Sequence, residues 1–222
     1  MMKRYCLPLL LMLGLGIAKC KIDEPDLSSI PNTTDGYQPL TKGSAWTYHQ
    51  VSSTGASMDE VMEMNGSHTV INGKTYYAVT DKADSSTYTS YFYHGDGSYS
   101  IRSAVLGGGK VVEYLYLKDN VVAGQTWTAP ITDDGKLAGF PAQIAGKIVK
   151  QDTSLVISSI TFQHVVHTQL QLQYDTGTGF ETSQLIDFYI AKGAGIIKID
   201  TDAGQPTNIT SHQEIISCKI EK

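Results

Sequence analysis

Two histidines near the middle of the chain have the spacing of a metal-binding pair. His164 and His167 lie three positions apart, and on a helix this spacing would point both imidazoles at one ion. The surrounding residues instead alternate apolar with polar, which predicts a strand. Residues i and i+3 of a strand point to opposite faces, so the two rings cannot share an ion. We therefore expect no zinc site, with His164 at the edge of the core and His167 in solvent.

A second cation motif is incomplete. The run from Asp200 to Gly204 begins like a calcium loop, but its fifth position is Gly204 and its twelfth is Ser211, where a bidentate Glu would be needed. This pattern favours a polar turn, and the sequence predicts no metal and no other cofactor. The other acids that we interpret as solvated turn residues are Asp81, Asp84, Asp133 and Asp134.

The sequence contains no pattern of nucleophilic catalysis. It has no Gly-x-Ser-x-Gly elbow, and the glycines at 107–109 lack the Lys-Ser/Thr of a phosphate loop. A glycosidase's two carboxylates come from separate strands and leave no local spacing, so a hydrolase stays an open alternative. We expect a protein that is not an enzyme.

The first nineteen residues have the features of a signal peptide. Lys3 and Arg4 precede a short apolar run over residues 7–18. About a dozen residues cannot cross the ~30 Å hydrocarbon core as a helix. Residues 1–19 are therefore predicted to be a removable signal peptide rather than a membrane anchor.

Cys20 follows this segment in a suitable context for lipid attachment. The residues 17–20, Ile-Ala-Lys-Cys, resemble a bacterial lipobox, in which the Cys thiol receives diacylglycerol; Lys19 departs from the small residue expected there. The resemblance implies that Cys20 is lipidated and attaches the protein to a membrane. The alternative is cleavage near Ala18, which would leave Cys20 free to form a disulfide with Cys218.

The residues after Cys20 indicate where the protein is displayed. Lys21, Asp23 and Glu24 look like the surface-export signal of Bacteroidota-type lipoproteins. This similarity implies an outer-membrane protein at the cell surface, with the periplasmic face or secretion as alternatives. Residues 20–37 are polar and contain prolines, so we interpret them as a flexible tether.

The net charge of the chain limits the classes of binding partner. The chain has 222 residues and a formal net charge of −5; residues 1–19 carry three bases and no acid, so the mature chain is at −8. Such a balance offers no electrostatic surface for nucleic acid or for anionic lipid. We expect attachment through the N-terminal lipid, with a glycan, a lipid or an envelope protein as the partner.

Residues 38–222 are predicted to form one all-β domain of about 11 to 13 antiparallel strands. Turn signals such as Asn72-Gly73 separate β-rich segments, and no long apolar stripe has helical spacing. The strand from Ile160 to Tyr174 is long enough to require curvature or a bulge, which we place near Val165-Val166. The sheet is therefore expected to curve strongly, as a half-barrel, a barrel or a sandwich.

A weak internal repeat suggests two pseudo-equivalent halves. Gly43-x-x-Trp46-Thr recurs as Gly124-x-x-Trp127-Thr, and a Phe-Tyr pair followed by Gly-x-Gly occurs later in each half. The halves would span about 38–108 and 110–222. Both tryptophans are then predicted to lie in the core.

Tyrosines are the remaining candidates for ligand contact. Exposed rings can stack on the apolar faces of sugars, and Tyr91, Tyr93, Tyr114 and Tyr116 are the residues that we assign to such a surface. Neighbouring tyrosines on a strand can alternatively alternate between the core and cross-strand pairs.

Four segments through most of the mature chain form a set, at residues 39–48, 71–77, 162–166 and 188–198. In that order they are similar to uncharacterised secreted or surface lipoproteins of Bacteroidota-type bacteria. The resemblance implies a compact β-rich extracytoplasmic domain and carries over no catalytic residue.

These observations predict a non-catalytic cell-envelope lipoprotein that presents a β domain for binding or assembly. One alternative is a carrier that holds a lipid or another apolar ligand in a curved-sheet cavity, which Phe162, Leu170 and Leu172 would line. Another is a glycan-binding module, which would display its tyrosines in an exposed row.

Overall fold

The computed structural model describes residues 36–104, 106, 109–205 and 207–222. Within these ranges the chain forms thirteen β-strands, and it contains no helix with the length and apolarity needed to cross a membrane. The strands are β1 (Ala45–Ser52), β2 (Ser57–Ile71), β3 (Lys74–Ala83), β4 (Ser86–Gly95), β5 (Ser98–Ser103), β6 (Val112–Lys118), β7 (Thr126–Pro130), β8 (Lys136–Leu137), β9 (Phe140–Ile157), β10 (Ile160–Asp175), β11 (Phe180–Ala191), β12 (Gly195–Asp202) and β13 (Thr210–Lys219).

All strands belong to antiparallel pairs. Their order across the sheet is β6-β5-β4-β3-β2-β1-β13-β12-β11-β10-β9-β7, with β8 paired to β9. The turn between β2 and β3 has φ values of 50° at Asn72 and 78° at Gly73, the positive angles that its type I′ prediction requires. The prediction of an all-β, strongly curved antiparallel sheet is confirmed. Of the three predicted architectures, the sheet forms a nearly closed barrel.

The two edges of the sheet are joined by a few hydrogen bonds rather than by a continuous ladder of them. The Glu113 N–H of β6 donates to the Ile131 carbonyl directly after β7, at 2.8 Å. The Thr168 hydroxyl of β10 donates to the Tyr116 carbonyl of β6, at 2.7 Å. Because these contacts use one N–H and one carbonyl of β6, this edge strand does not offer a fully open row of backbone groups.

The strand order divides the sheet into two six-stranded meanders, β1–β6 and β7 with β9–β13. Each begins with a Gly-x-x-Trp motif. Gly43 N–H donates to the Met64 carbonyl of β2 (2.9 Å), and Gly124 N–H donates in the same way to the Ile148 carbonyl of β9 (2.8 Å). The first meander includes β6, so the division falls after Lys118 rather than before β6, where the sequence pattern placed it.

Both motif tryptophans are buried, as expected. Trp46 is 1% exposed and Trp127 is 7% exposed. The Trp46 indole donates to the Ala194 carbonyl at 2.6 Å and meets the Phe92 ring edge-on, with centroids 6.3 Å apart. A buried indole N–H needs such an acceptor. Trp46 therefore ties β1 to the turn between β11 and β12.

The long strand β10 carries the expected bulge. Its register with β9 shifts between Phe162 and Thr168, and His164 has a left-handed φ of 53°. This backbone turns His164 outward, where it contacts Asp152. His164 is therefore exposed rather than at the edge of the core. His167 lies on the outer face, opposite to the buried Val166 and Thr168, but Tyr189 and Asp187 partly cover it, so it is not in open solvent.

Residues 36–40 close one end of the barrel. The Gly36 carbonyl accepts from Gly193 N–H at 3.1 Å, and the Tyr37 ring packs edge-on against Tyr99 at 6.0 Å. Gln38 is buried and its side-chain oxygen accepts from the Tyr116 hydroxyl. The last residues of the expected tether, Gly36 and Tyr37, are therefore part of the folded domain.

Candidate functional site

The predicted anchoring residues lie outside the described ranges. These residues are Cys20, Lys21, Asp23 and Glu24, together with the signal peptide that precedes them. Cys218, the alternative partner of Cys20, is buried on β13 and 5% exposed.

The four predicted ligand tyrosines do not form one exposed row. Tyr91 and Tyr93 are half-buried on the outer face of β4. Tyr114 and Tyr116 point into the barrel, at 8% and 0% exposed, and Tyr116 stacks on Phe188 with ring centroids 5.6 Å apart. Of the four, Tyr114 alone lines the internal cavity described next.

The barrel encloses a cavity of about 400 Å³ at the end opposite residues 36–40. Side chains of β1–β6 form one wall, and those of β11–β13 form the other. A cavity of this volume is within the range that holds small ligands. Its apolar lining consists mainly of Met58, Met62, Ile101, Ile186, Phe188 and Ile199.

This cavity is not the one expected for an apolar carrier. Phe162, Leu170 and Leu172 are buried on β10, but none of them lines it. The sequence pattern identified a curved sheet and placed the cavity against the wrong strand. The long strand β10 is instead covered from inside by β6.

Asp81 is the most unusual side chain in the cavity. It was expected to be a solvated turn acid, yet it lies on the inner face of β3, at 1% exposed. Its Oδ1 atom has no hydrogen-bond partner among the described residues, while the Ser90 hydroxyl contacts the carboxyl group. Burial raises the pKa of Asp81 to about 7, opposed in part by Ser90.

A second acid, Glu60 on β2, is held by two donors. The Tyr88 hydroxyl donates to Oε1 at 2.5 Å, and the Gln213 amide donates to Oε2 at 2.9 Å. Tyr88 and Gln213 come from opposite walls of the cavity. Glu60 is therefore fixed in position, and its charge contributes to the raised pKa of Asp81.

The sequence did contain a signal for Asp81. Tyr77, Val79 and Ala83 alternate with it along β3 and belong to the same inward face. Its neighbours Lys82 and Asp84 are polar, and this made the whole segment resemble a turn. The other predicted turn acids, Asp84, Asp133 and Asp134, are exposed.

The strongest polar cluster outside the cavity is structural. The Arg102 guanidinium contacts both carboxyl oxygens of Asp133, at 2.9 and 2.5 Å, and lies 3.4 Å from Glu113. The Tyr76 hydroxyl also donates to Glu113. Arg102 holds the pKa of Asp133 below its usual range. These contacts satisfy one another across β3, β5 and β6, so they leave no group directed at a ligand.

The cation motifs of the sequence make local contacts. His167 contacts Asp187 at 2.6 Å and stacks on Tyr189. Asp202 accepts from Gly204 N–H at 2.8 Å, as in the polar turn that was expected. Within the described ranges, no group of three His, Cys, Asp or Glu side chains could hold a metal ion.

Replacement of Asp81 by Asn is expected to change how stability depends on pH. The folded-state pKa of Asp81, about 7, is above the unfolded value, so its stabilising contribution is greatest below about pH 4 and is lost as the pH rises to 7. The loss amounts to roughly 4 kcal/mol. Urea unfolding between these pH values should show a fall in stability for the native protein that is smaller for Asp81→Asn.

The other titratable groups that face Asp81 support this assignment. Burial raises the pKa of each facing phenol, Tyr48, Tyr88 and Tyr114, so they do not ionise in this range. Glu60 is the remaining acid that lines the cavity, and the variant Glu60→Gln measures its contribution to the pH dependence of stability. Identical pH profiles for the native protein and Asp81→Asn would contradict the prediction.

No family model matches the sequence, and no curated protein matches it. Among solved structures, a “putative lipoprotein” from Parabacteroides distasonis superposes with a TM-score of 0.52 at 12% identity, over 83% of this chain and 98% of that one. A “putative exported protein with YmcC-like fold” from Bacteroides fragilis has a TM-score of 0.52 at 10% identity, over 83% and 99%. This chain has their fold.

A β-barrel-like protein of unknown function from Brucella abortus also superposes, with a TM-score of 0.44 at 12% identity. The two proteins from Parabacteroides and Bacteroides belong to the Bacteroidota, the group to which the sequence segments were similar. The expected similarity to β-rich proteins of this group is confirmed at the level of the fold.

Proposed function

We propose that this protein is a lipid-anchored, non-catalytic protein of the cell envelope that binds a small, partly apolar molecule inside its barrel. The observation that carries the binding role is the cavity of about 400 Å³ between the two meanders. Many small β-barrels fill their interior with side chains, whereas this one leaves a cavity large enough for a ligand.

The composition of the cavity walls supports a ligand with an apolar body. Met58 and Met62 lie on one side and Ile186 and Ile199 on the other, so a bound hydrocarbon would lose water on both faces. Methionine adapts its shape to different partners. The carrier, an alternative at the sequence level, is therefore the version of the binding role that we prefer to a glycan-binding surface.

The cavity can be tested with N-phenyl-1-naphthylamine, an uncharged probe whose fluorescence rises in apolar surroundings. We expect it to bind the native protein, and we expect Ser90→Trp to weaken binding about tenfold or more because the added ring fills the cavity. Ser90 is buried and lines the cavity, whereas its neighbour Thr89 is exposed. Thr89→Trp is thus the matched control.

Thermal unfolding of both variants shows whether the fold is retained. Equal probe affinity in Ser90→Trp and Thr89→Trp, or no binding by the native protein, would contradict a ligand site in the barrel.

The anchor is a separate part of the proposal and rests on Cys20. Cells that express the full chain should incorporate labelled palmitate into it, and Cys20→Ser should abolish the label. Cys6→Ser is the control, since Cys6 lies in the predicted signal peptide and would be removed with it. Label retained by Cys20→Ser would refute the lipid anchor.

Location in the outer membrane, at the cell surface, is the finer proposal. It is supported by Lys21, Asp23 and Glu24 directly after the Cys, and by the lipoprotein and exported proteins that share the fold.

A further inference from the structure

The cavity has a one-sided charge. Among the described residues that line it, Glu60 and Asp81 are acids and none is Lys, Arg or His. The remaining polar lining consists of amides, hydroxyls and phenols. A bound anion would meet two acids without any compensating base, while a bound cation would find two partners.

Asp81 in particular is directed at the cavity without a full set of partners. It is 1% exposed, and its Oδ1 atom accepts no hydrogen bond from the described residues. A buried oxygen in this state costs free energy unless a donor reaches it. Its strand neighbours Met62 and Tyr88 flank it on β2 and β4 and do not supply that donor.

Glu60 provides a second acceptor diagonally across from Asp81, since Asp81 itself pairs with Met62, two residues along β2 from Glu60. Its position next to Asp81 in sheet order, one strand away on β2, follows from the pairing of Glu60 with Ala83. Because Tyr88 and Gln213 already hold Glu60, it can accept a further donor without losing side-chain freedom.

The walls determine what kind of cation would fit. A metal ion needs more oxygen ligands than two carboxyl groups supply, and no group of three suitable side chains occurs in the described part of the chain. The apolar side chains Met58, Ile186, Phe188 and Ile199 would gain nothing from a bare ion. They would gain from an organic cation with a hydrocarbon body.

We propose that the ligand of this cavity is a cationic amphiphile, with an ammonium group that donates to Asp81 and Glu60 and a hydrocarbon part that packs between the two walls. This inference rests on the proposed function and specifies its ligand class. A single charge-assisted hydrogen bond in such a site is stronger than a neutral one.

Three compounds of equal chain length test the charge: decylamine, decanol and decanoate, each used to displace N-phenyl-1-naphthylamine. At about pH 8 the amine is protonated. We expect decylamine to bind about tenfold more tightly than decanol, and decanoate to bind least. Binding of decylamine should also be insensitive to added calcium at constant ionic strength.

Asp81→Asn and Glu60→Gln identify the groups that recognise the charge. We expect each to weaken decylamine binding about tenfold and to leave decanol binding unchanged. Asp84→Asn, in the exposed turn after β3, should change neither. Unchanged decanol binding shows that a variant has kept its fold and its cavity.

The outcomes separate this inference from the proposed function. If decylamine and decanol bind equally, if decanoate binds best, or if calcium competes with the amine, the cationic amphiphile is refuted while the cavity remains a ligand site. If neither the probe nor any of the three compounds binds, the proposed function itself fails.

Discussion

Trp46→Ala should lower the free energy of unfolding by about 3–5 kcal/mol, the usual loss when a buried aromatic side chain is removed. Trp46 is 1% exposed, packs against Phe92 and donates to the Ala194 carbonyl. The substitution would therefore leave a cavity beside β1 and would also remove the donor of a buried carbonyl. Urea unfolding followed by circular dichroism measures the loss.

We also expect this variant to unfold in a single transition. The pairing of β1 with β13 joins the two meanders over eight residues of β1, so neither meander keeps its edge satisfied alone. Thr47→Ala is the matched control, since Thr47 is half-buried and its side chain faces away from Trp46. An unchanged unfolding midpoint in Trp46→Ala, or two separate transitions, would contradict this description of the core.

Gly146→Ala is expected to be as damaging as many much larger substitutions. A Cβ at this position would lie 2.2 Å from the Cε2 atom of Trp127 and 2.5 Å from its Nε1 atom. The indole cannot move away freely, because its N–H donates to the Leu115 carbonyl of β6 at 3.2 Å. Overpacking of this kind costs about 1–3 kcal/mol, and the contact that holds the β6 edge would be strained as well.

A double-mutant cycle isolates that clash. Gly146→Ala combined with Trp127→Leu should be less destabilised than the sum of the two single variants, because the smaller side chain makes room for the new methyl group. Lys147→Ala, one position along on the exposed face, should have little effect. Strict additivity of the two substitutions would show that Trp127 does not set the size limit at Gly146.

The sequence predicts the fold class well because the relevant signals are local. Alternation along a strand and the Asn72-Gly73 turn depend on residues that are close in the chain, and both are found as expected. The two Gly-x-x-Trp motifs also mark equivalent strand beginnings, β1 and β7. Their glycines have nearly the same left-handed φ, 86° at Gly43 and 89° at Gly124.

The interior of the barrel could not be predicted in the same way. Whether Tyr114 lines a cavity while Tyr116 is packed solidly depends on what crosses the barrel, here Phe188 from a strand more than seventy positions away. Asp81 was misread because its own neighbours are polar, although its face of β3 is apolar. At His164, one left-handed residue turned a single side chain outward, while Phe162 and Leu170 on the same predicted face stayed buried.

The positions of the closed end and of the cavity have a consequence for the route by which a ligand would enter the barrel. Residues 36–40 lie at the end where Ala45 pairs with Lys219, whereas the cavity lies towards the end where Ser52 pairs with Ser211. If the chain is held at Cys20, the end of the barrel that the tether reaches first is the end closed by residues 36–40, and the cavity opens at the other end. A ligand would then enter and leave from solution or from a partner protein bound at the open end, rather than directly from the membrane through the end that carries the tether.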